Sequence, residues 1–299
     1  MGTRVTQSML NSQMLRNINT NMNRMQTLQD QLSTGRKINK PSDDPVGISF
    51  SMRYRSELNV NEQYESNVSA SQSWMDYTDT MLDQMGKVIH RVRELAVEGA
   101  NGTNSKESLE AMRIEVDQMY GQMVNIGNSQ FNGKYVFSGQ MTDLKPFPDE
   151  EDAMNAITDT REIQFEIGLG VRMAVNKTAD QVFGEPGAET NIFQVFKDLS
   201  KALGDQNYDG VSTALGKLDQ RMDSFLGVRS DVGAKANRIQ LAADRLQDID
   251  VNVTSLLSKT EDADIAKVIT NIKMDENVYQ ASLSAGSRLI QPSLVDFLR

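Results

Sequence analysis

Residues 64–96 read Tyr64-Glu-Ser-Asn-Val68-Ser-Ala-Ser71-Gln-Ser-Trp-Met75-Asp-Tyr-Thr78-Asp-Thr-Met-Leu82-Asp-Gln-Met85-Gly-Lys-Val-Ile89-His-Arg-Val92-Arg-Glu-Leu-Ala96. Taken alternately four and three apart, Tyr64, Val68, Ser71, Met75, Thr78, Leu82, Met85, Ile89, Val92 and Ala96 form a single stripe. An α-helix turns about every 3.6 residues, so this spacing collects one side of a helix and has the a/d pattern of a coiled-coil seam. A helix over about residues 56–98 would be on the order of 60 Å long at about 1.5 Å per residue.

Two further stripes flank this one. Leu109, Met112, Val116, Met119, Met123 and Ile126 repeat the alternation, and Gly99-Ala-Asn-Gly102-Thr-Asn-Ser lies between the two. That turn is rich in helix stoppers and caps, so the pair predicts an antiparallel helical hairpin. A third stripe runs Val232, Lys235, Ile239, Ala242, Leu246, Ile249, Val253 and Leu256. Residues 192–203 and 215–225 read as two shorter helices leading into it. The six prolines stand at 41, 45, 146, 148, 186 and 292, leaving 46–145 and 187–291 free of the residue that interrupts helices.

Residues 134–187 differ. Lys134-Tyr-Val-Phe-Ser138, Arg161-Glu-Ile-Gln-Phe-Glu-Ile167 and Val171-Arg-Met-Ala-Val175 are short β-type runs, and Ile163, Phe165 and Ile167 alternate as in a half-buried strand. The expected fold is mainly α: an elongated helical bundle or coiled-coil rod with a small β-rich insert and amphipathic terminal helices. Its expected domains are 1–45 with 259–299, 46–133 with 188–258, and the insert 134–187.

Composition excludes most chemistry. The 299 residues include no cysteine and one histidine, His90, so thiolate nucleophiles, disulfides, cysteine zinc sites and paired-histidine metal sites are unavailable. With 31 basic against 41 acidic residues the net charge is −10, and the basic residues do not cluster, which argues against nucleic acid. No stretch reaches the roughly 18 apolar residues that span a bilayer, so no membrane partner is expected. Asp205-Gln-Asn207-Tyr-Asp209-Gly210 begins like an EF-hand loop, but its twelfth position is Gly216 where a bidentate Glu is required. It reads as a polar interhelix turn. Gly168-Leu-Gly170 lacks the third glycine of a dinucleotide site and reads as a hairpin turn. No catalytic residue, metal site or cofactor is expected, and an enzyme with its active site in 134–187 is the weakest reading.

The ends pose a sharper question. Leu15, Ile18, Met22, Met25 and Leu32 share one register before Ser33-Thr-Gly35, and Ile265, Val268, Ile269, Ile272, Tyr279, Leu283 and Ile290 make a comparable stripe after the polar run 258–264. Neither continues the central register, so each is a separate amphipathic helix on a joint. Fully burying the five N-terminal side chains would stabilise by roughly 8–15 kcal/mol gross, at about 1.5–3 each. Two helices alone bury only part of that while ordering about thirty residues of backbone. Their apolar faces are therefore read as an assembly interface. The joint and helix start are read at Arg36, Asp43, Asp44 and Pro45, with Asp44 a candidate N-cap and Pro45 a first helical residue.

Gln31-Leu-Ser-Thr-Gly-Arg36-Lys-Ile-Asn-Lys-Pro-Ser-Asp43-Asp44-Pro-Val-Gly47-Ile resembles the N-terminal signature of bacterial flagellins. The resemblance continues in Arg93-Glu-Leu-Ala-Val-Glu-Gly99-Ala-Asn101-Gly102-Thr103, in Gln130-Phe-Asn-Gly133-Lys-Tyr, and from Arg238-Ile-Gln-Leu-Ala-Ala-Asp244-Arg-Leu to the final residue. The prolines of Lys40-Pro41-Ser-Asp-Asp-Pro45, the run Gly133-Lys-Tyr-Val-Phe-Ser-Gly139 and the ending Gln291-Pro-Ser-Leu-Val-Asp-Phe-Leu-Arg299 are similar to the hook–filament junction type more than to filament flagellin. The resemblance implies a structural protein secreted unfolded through the flagellar type III export apparatus without a cleaved signal peptide. It implies a ring of copies of this chain, with hook-associated protein 1 on the hook side and flagellin on the filament side. It further implies terminal helices that line the central tube and an export chaperone on the C-terminal helix. Filament flagellin itself is the alternative.

Overall fold

The structure, a computed structural model, describes residues 7–149 and 151–290, with side chains over 9–149 and 151–287. It is mainly α. In chain order the elements are α1 (Gln7–Thr34), α2 (Pro45–Gly99), α3 (Lys106–Gly127), β1 (Gln130–Phe131), β2 (Lys134–Tyr135), β3 (Gln164–Gly168), β4 (Val171–Ala174), α4 (Ala179–Phe183), α5 (Ile192–Gly204), α6 (Tyr208–Glu261) and α7 (Ile265–Ile290). They form two compact units: a terminal unit drawn from Met1–Val60 and Ile249–Arg299, and a central unit, Asn61–Asp248.

In the central unit the seam of α2 is the spine of the core. Val68, Met75, Leu82, Met85, Ile89, Val92 and Ala96 are all buried. So are Ser71 and Thr78, whose hydroxyls donate to the carbonyls of Asn67 (2.6 Å) and Trp74 (2.8 Å) one turn back, satisfying polar groups that water cannot reach. Ser105 accepts from Ser108 N–H and caps α3, which buries Leu109, Met112, Val116, Met123 and Ile126. Arg91 Nε meets Glu115 Oε1 at 2.6 Å, so α3 runs back along α2.

Residues 215–225, expected as a short separate helix, are the interior of α6, which is a single helix of 54 residues. Gly216 and Gly227 made a break plausible, since glycine costs about 1 kcal/mol in a helix. The apolar stripe carries the helix through them: Val211, Ala214, Leu218, Met222, Phe225, Val232, Ile239 and Leu246 are buried in one continuous series. Arg93–Asp219 (2.7 Å), Arg229–Asp83 (2.9 Å) and the Asn61 amide on Leu246 O (3.0 Å) set α6 antiparallel to α2.

Strand is scarce in the insert. β1 and β2 form a hairpin over Asn132 (φ 50°) and Gly133 (φ 77°), the left-handed pair that a two-residue turn requires. The expected strand 134–138 stops at Tyr135, because Val136 and Phe137 turn inward to full burial. β3 and β4 pair antiparallel with a register shift between Glu166 and Gly168. Gly170 (φ 70°) closes their turn, and Leu169 projects into solvent.

Aromatic packing holds the insert to the helices. Phe183 lies 5.5 Å from Phe137, 5.2 Å from Phe147 and 5.4 Å from Phe193 of α5, between ring centroids. Phe147 is fixed twice. Asn128 donates to its carbonyl and accepts from its N–H, both at 2.9 Å. A Cβ at Gly127 would stand 2.6 Å from its ring, so only glycine admits that ring against the end of α3. Arg221 of α6 is buried and donates to the carbonyls of Gln181 (2.8 Å) and Val182 at the end of α4. Burial brings its guanidinium pKa down to about 10.

Candidate assembly face and joint of the terminal unit

Within the terminal unit α1 and α7 pack against each other as an antiparallel pair. Asn11, Met14, Ile18, Asn21, Met25 and Leu28 are half-buried on α1, spaced alternately three and four. On α7 the matching series is Val268, Ile272, Asp275, Tyr279, Ser282 and Gly286. The register is fixed at two places. Met14 occupies the space where a Cβ at Gly286 would stand. Asp275, fully buried, accepts from Arg24 Nε (2.6 Å) and Nη2, while the Asn21 amide donates to Asp275 O (3.0 Å). A carboxylate out of water needs such a partner, and a polar pair in a seam specifies register at a cost in stability.

The expected interface residues divide between two environments. Val268 and Ile272 are buried in this seam, and Ile18, Met25 and Tyr279 are half-buried in it. Leu15, Met22, Leu32, Ile265, Ile269 and Leu283 expose 40–62% of their surface. The side chain of Ile290 and the ending 291–299 lie outside the described residues. Leu15, Met22, Ile269 and Leu283 each directly follow a seam residue. In an antiparallel pair those positions of both helices fall on the same flank, where the four apolar side chains alternate with polar ones such as the Lys273–Glu276 pair. Met9, Leu10, Met274 and Val278 are also at solvent. The stripe reading overlooked them because they fall outside its heptad register.

The joint is built on one carboxylate that the sequence reading passed over. Gly35 (φ 71°) ends α1 in the left-handed conformation, its N–H on Gln31 O at 2.9 Å. Arg36 bridges Asp262, Lys37 N–H donates to Glu261 O (2.7 Å), and Ala263 N–H to Gly35 O (2.9 Å), so the two chain crossings are laced together. The Glu261 carboxylate is 4% exposed and takes Arg36 Nε at 2.8 Å and Arg55 through its Nε (3.2 Å) and Nη2. Three segments thus converge on Glu261. Removing one partner of a buried ion pair costs about 3–5 kcal/mol. Glu261→Gln is accordingly expected to speed hydrogen exchange at the Lys37 and Ala263 amides at least about tenfold, and unchanged protection there would contradict this role.

Beside it, the Asp43 carboxylate accepts from the N–H groups of Lys40 (2.9 Å) and Asn39 (3.0 Å), which hold its pKa below the usual carboxylate range. A depressed folded-state pKa means the turn is favoured at pH above the unfolded value, about 3.9. That support is lost as pH falls through the folded value. Protection of the Asn39 and Lys40 amides is therefore expected to be flat from about pH 7 to 5 and to fall below about pH 4. Asp43→Asn should abolish that pH dependence, and a protection curve indifferent to the substitution would refute it. Asp44 Oδ1 accepts from Val46 N–H (3.1 Å) and Gly47 N–H (2.9 Å) and so caps α2, which opens on Pro45. Gly47 lies against both Asp44 and the buried Ile38; a Cβ there would stand 2.5 Å from each.

Elsewhere, Asn207 caps α6 through Gly210 N–H (3.0 Å), so the EF-hand-like run is spent on a helix start. His90 is exposed on α2. Among the described residues no cluster of acids and histidines could hold a metal, and no described helix is long and apolar enough to cross a membrane.

The bacterial flagellin N-terminal helical region matches residues 5–142, and the bacterial flagellin C-terminal helical region matches residues 215–298. The chain belongs to the bacterial flagellin family. The matched regions contain α1, α7 and both halves of the joint. This is a family of flagellar structural proteins, not of enzymes. Relatives include flagellar hook-associated protein 3 of Escherichia coli K12, 24% identical over 94% of this chain and 95% of that protein. The flagellar filament 30.7 kDa core protein of Treponema maltophilum is 26% identical over 85% of each. The solved flagellar hook-associated protein-3 of Legionella pneumophila shares the fold, with a TM-score of 0.62 at 16% identity over 70% of this chain and 98% of that one. The flagellin-family chain described here is thus a structural component of the bacterial flagellum.

Proposed function

We propose that this chain forms the junction ring between hook and filament, with hook-associated protein 1 on its hook side and flagellin on its filament side. The observation that carries the reading is that Leu15, Met22, Ile269 and Leu283, on one flank of the α1–α7 pair, stay 46–62% exposed among the described residues. Neighbouring copies in a tube would cover them. In this reading residues 1–45 and 259–299 are the assembly domain, 46–133 with 188–258 the rod, and 134–187 the insert.

The α1–α7 seam supports assembly-coupled folding. It is lined by Asn11, Asn21, Asp275 and Ser282 as well as by apolar residues, so the pair alone gains little from burial. Heterologous contacts generate open arrays, and helices that order fully only on docking restrain stray polymerisation. Export as an unfolded chain, attended by a chaperone on the C-terminal helix, suits a protein without disulfides that works outside the cell.

The junction reading stands above filament flagellin on the sequence motifs Lys40-Pro41-Ser-Asp-Asp-Pro45 and Gly133-Lys-Tyr-Val-Phe-Ser-Gly139, since junction and filament relatives both align over 94% of this chain. Labelled antibody on isolated hook–filament preparations tests it: label is expected in one band at the junction. A mutant lacking the chain is expected to make hooks and shed flagellin into the medium. Label along the filament would replace this reading with the flagellin one.

A further inference from the structure

Among the described residues the buried methionines all lie in the central unit, which has one exposed methionine, Met141, at 49%. In the central unit Met75, Met85 and Met123 expose no more than 1% of their surface. In the terminal unit Met9, Met22, Met52 and Met274 expose 48–67%, and none of its described methionines is buried. With no cysteine in the chain, methionine is the only sulfur an oxidant meets. We infer that exposed methionines make the terminal unit a peroxide-sensitive switch on incorporation, closing the assembly face before docking while sparing the core.

The chemistry is direct. The thioether sulfur attacks one oxygen of hydrogen peroxide, forming an S–O bond as the O–O bond breaks. The departing oxygen leaves as water with both protons. Sulfur loses two electrons and peroxide gains them, giving methionine sulfoxide. The product carries a strong acceptor where a flexible apolar side chain stood, and an acceptor buried without a donor is costly. Met22 lies on the same flank as Leu15, Ile269 and Leu283, and Met9 and Met274 are at solvent on the same two helices. A neighbour that buried them would meet sulfoxide oxygens without matching donors. Met75, Met85 and Met123 cannot be reached without opening the core, and the exposed Met141 lies outside that core, so the central unit keeps its fold under the same exposure.

This inference rests on the assembly reading above. Full-length chain treated with hydrogen peroxide would be mapped by peptide mass spectrometry and tested for sedimentation with hook ends isolated from cells lacking the chain. Sulfoxide is expected at Met9, Met22, Met52 and Met274 at least tenfold faster than at Met75, Met85 and Met123. Sedimentation is expected to fall at least tenfold and to return after treatment with methionine sulfoxide reductases of both stereospecificities. Oxidised chain that still sediments like untreated chain overturns the switch, as does a loss that the reductases fail to reverse. Untreated chain that never binds hook ends, with the oxidation pattern intact, counts against the assembly reading itself and takes the switch with it.

Discussion

Met22→Asp or Leu283→Asp is expected to leave Asn61–Asp248 folded and to abolish incorporation into the flagellum. Both side chains lie at solvent on the flank of the α1–α7 pair, so a carboxylate there costs the isolated chain almost nothing. In the proposed tube the same position faces a neighbour. The lost apolar burial is worth about 1.5–3 kcal/mol, and a carboxylate desolvated without a partner costs several more. A penalty of only about 3 kcal/mol already lowers the association constant roughly a hundredfold. Trp74, the single tryptophan, packs edge-on to Phe131 in the central unit, and its fluorescence reports that unit's integrity. Unchanged Trp74 emission with junctions missing from the cell is the expected pair of results. Normal junctions in either variant would show that this flank is not the interface. Ile18→Asp is the poorer test, because Ile18 is half-buried within the chain's own seam and its loss would confound folding with assembly.

Phe183→Ala is expected to be the most damaging single change in the central unit. Phe183 is 1% exposed and touches the rings of Phe137, Phe147 and Phe193. Truncating a buried phenylalanine costs about 3–5 kcal/mol, and each lost aromatic pair adds about 0.5–1.5. For a unit of this size about 1 kcal/mol moves the midpoint roughly 2–4 °C, so thermal unfolding followed at Trp74 should drop by on the order of 10 °C. A drop under about 3 °C would mean the insert is not packed through this cluster. The substitution leaves the terminal unit's own contacts untouched, so exchange at Lys37 and Ala263 should not change.

Different parts of the molecule were legible to different depths. The seam of α2 was readable residue by residue, because Val68 through Ala96 repeat with a period that local backbone geometry alone imposes. The hairpin of α2 and α3 followed, since Gly99 to Ser105 leaves too little chain for anything but a return. Residues 215–225 misled because a glycine-bearing stretch has weak local preference, and the core against which it packs lies far away in sequence. Lys134 to Ser138 misled in the same way: its β-type residues suggested strand, but Val136 and Phe137 are claimed by the core. At the terminal unit the stripes caught the heptad residues but not Met9, Leu10, Met274 and Val278, and they did not reveal which residues face each other. Ile18 and Leu15 look alike in sequence and differ in the structure by which side of the seam they occupy.

The sequence by itself therefore determined that this is a helical chain with an insert and two amphipathic ends, and its motifs identified the family. Periodicity, proline spacing and turn composition are local properties, and they act over a few residues. Only the tertiary structure decided that Glu261 gathers Arg36 and Arg55, that Asp275 pairs with Arg24, and that Leu15, Met22, Ile269 and Leu283 are left exposed on one flank. Each of those depends on segments more than two hundred residues apart being brought together, and a buried charge reveals its meaning only when its partner is in place.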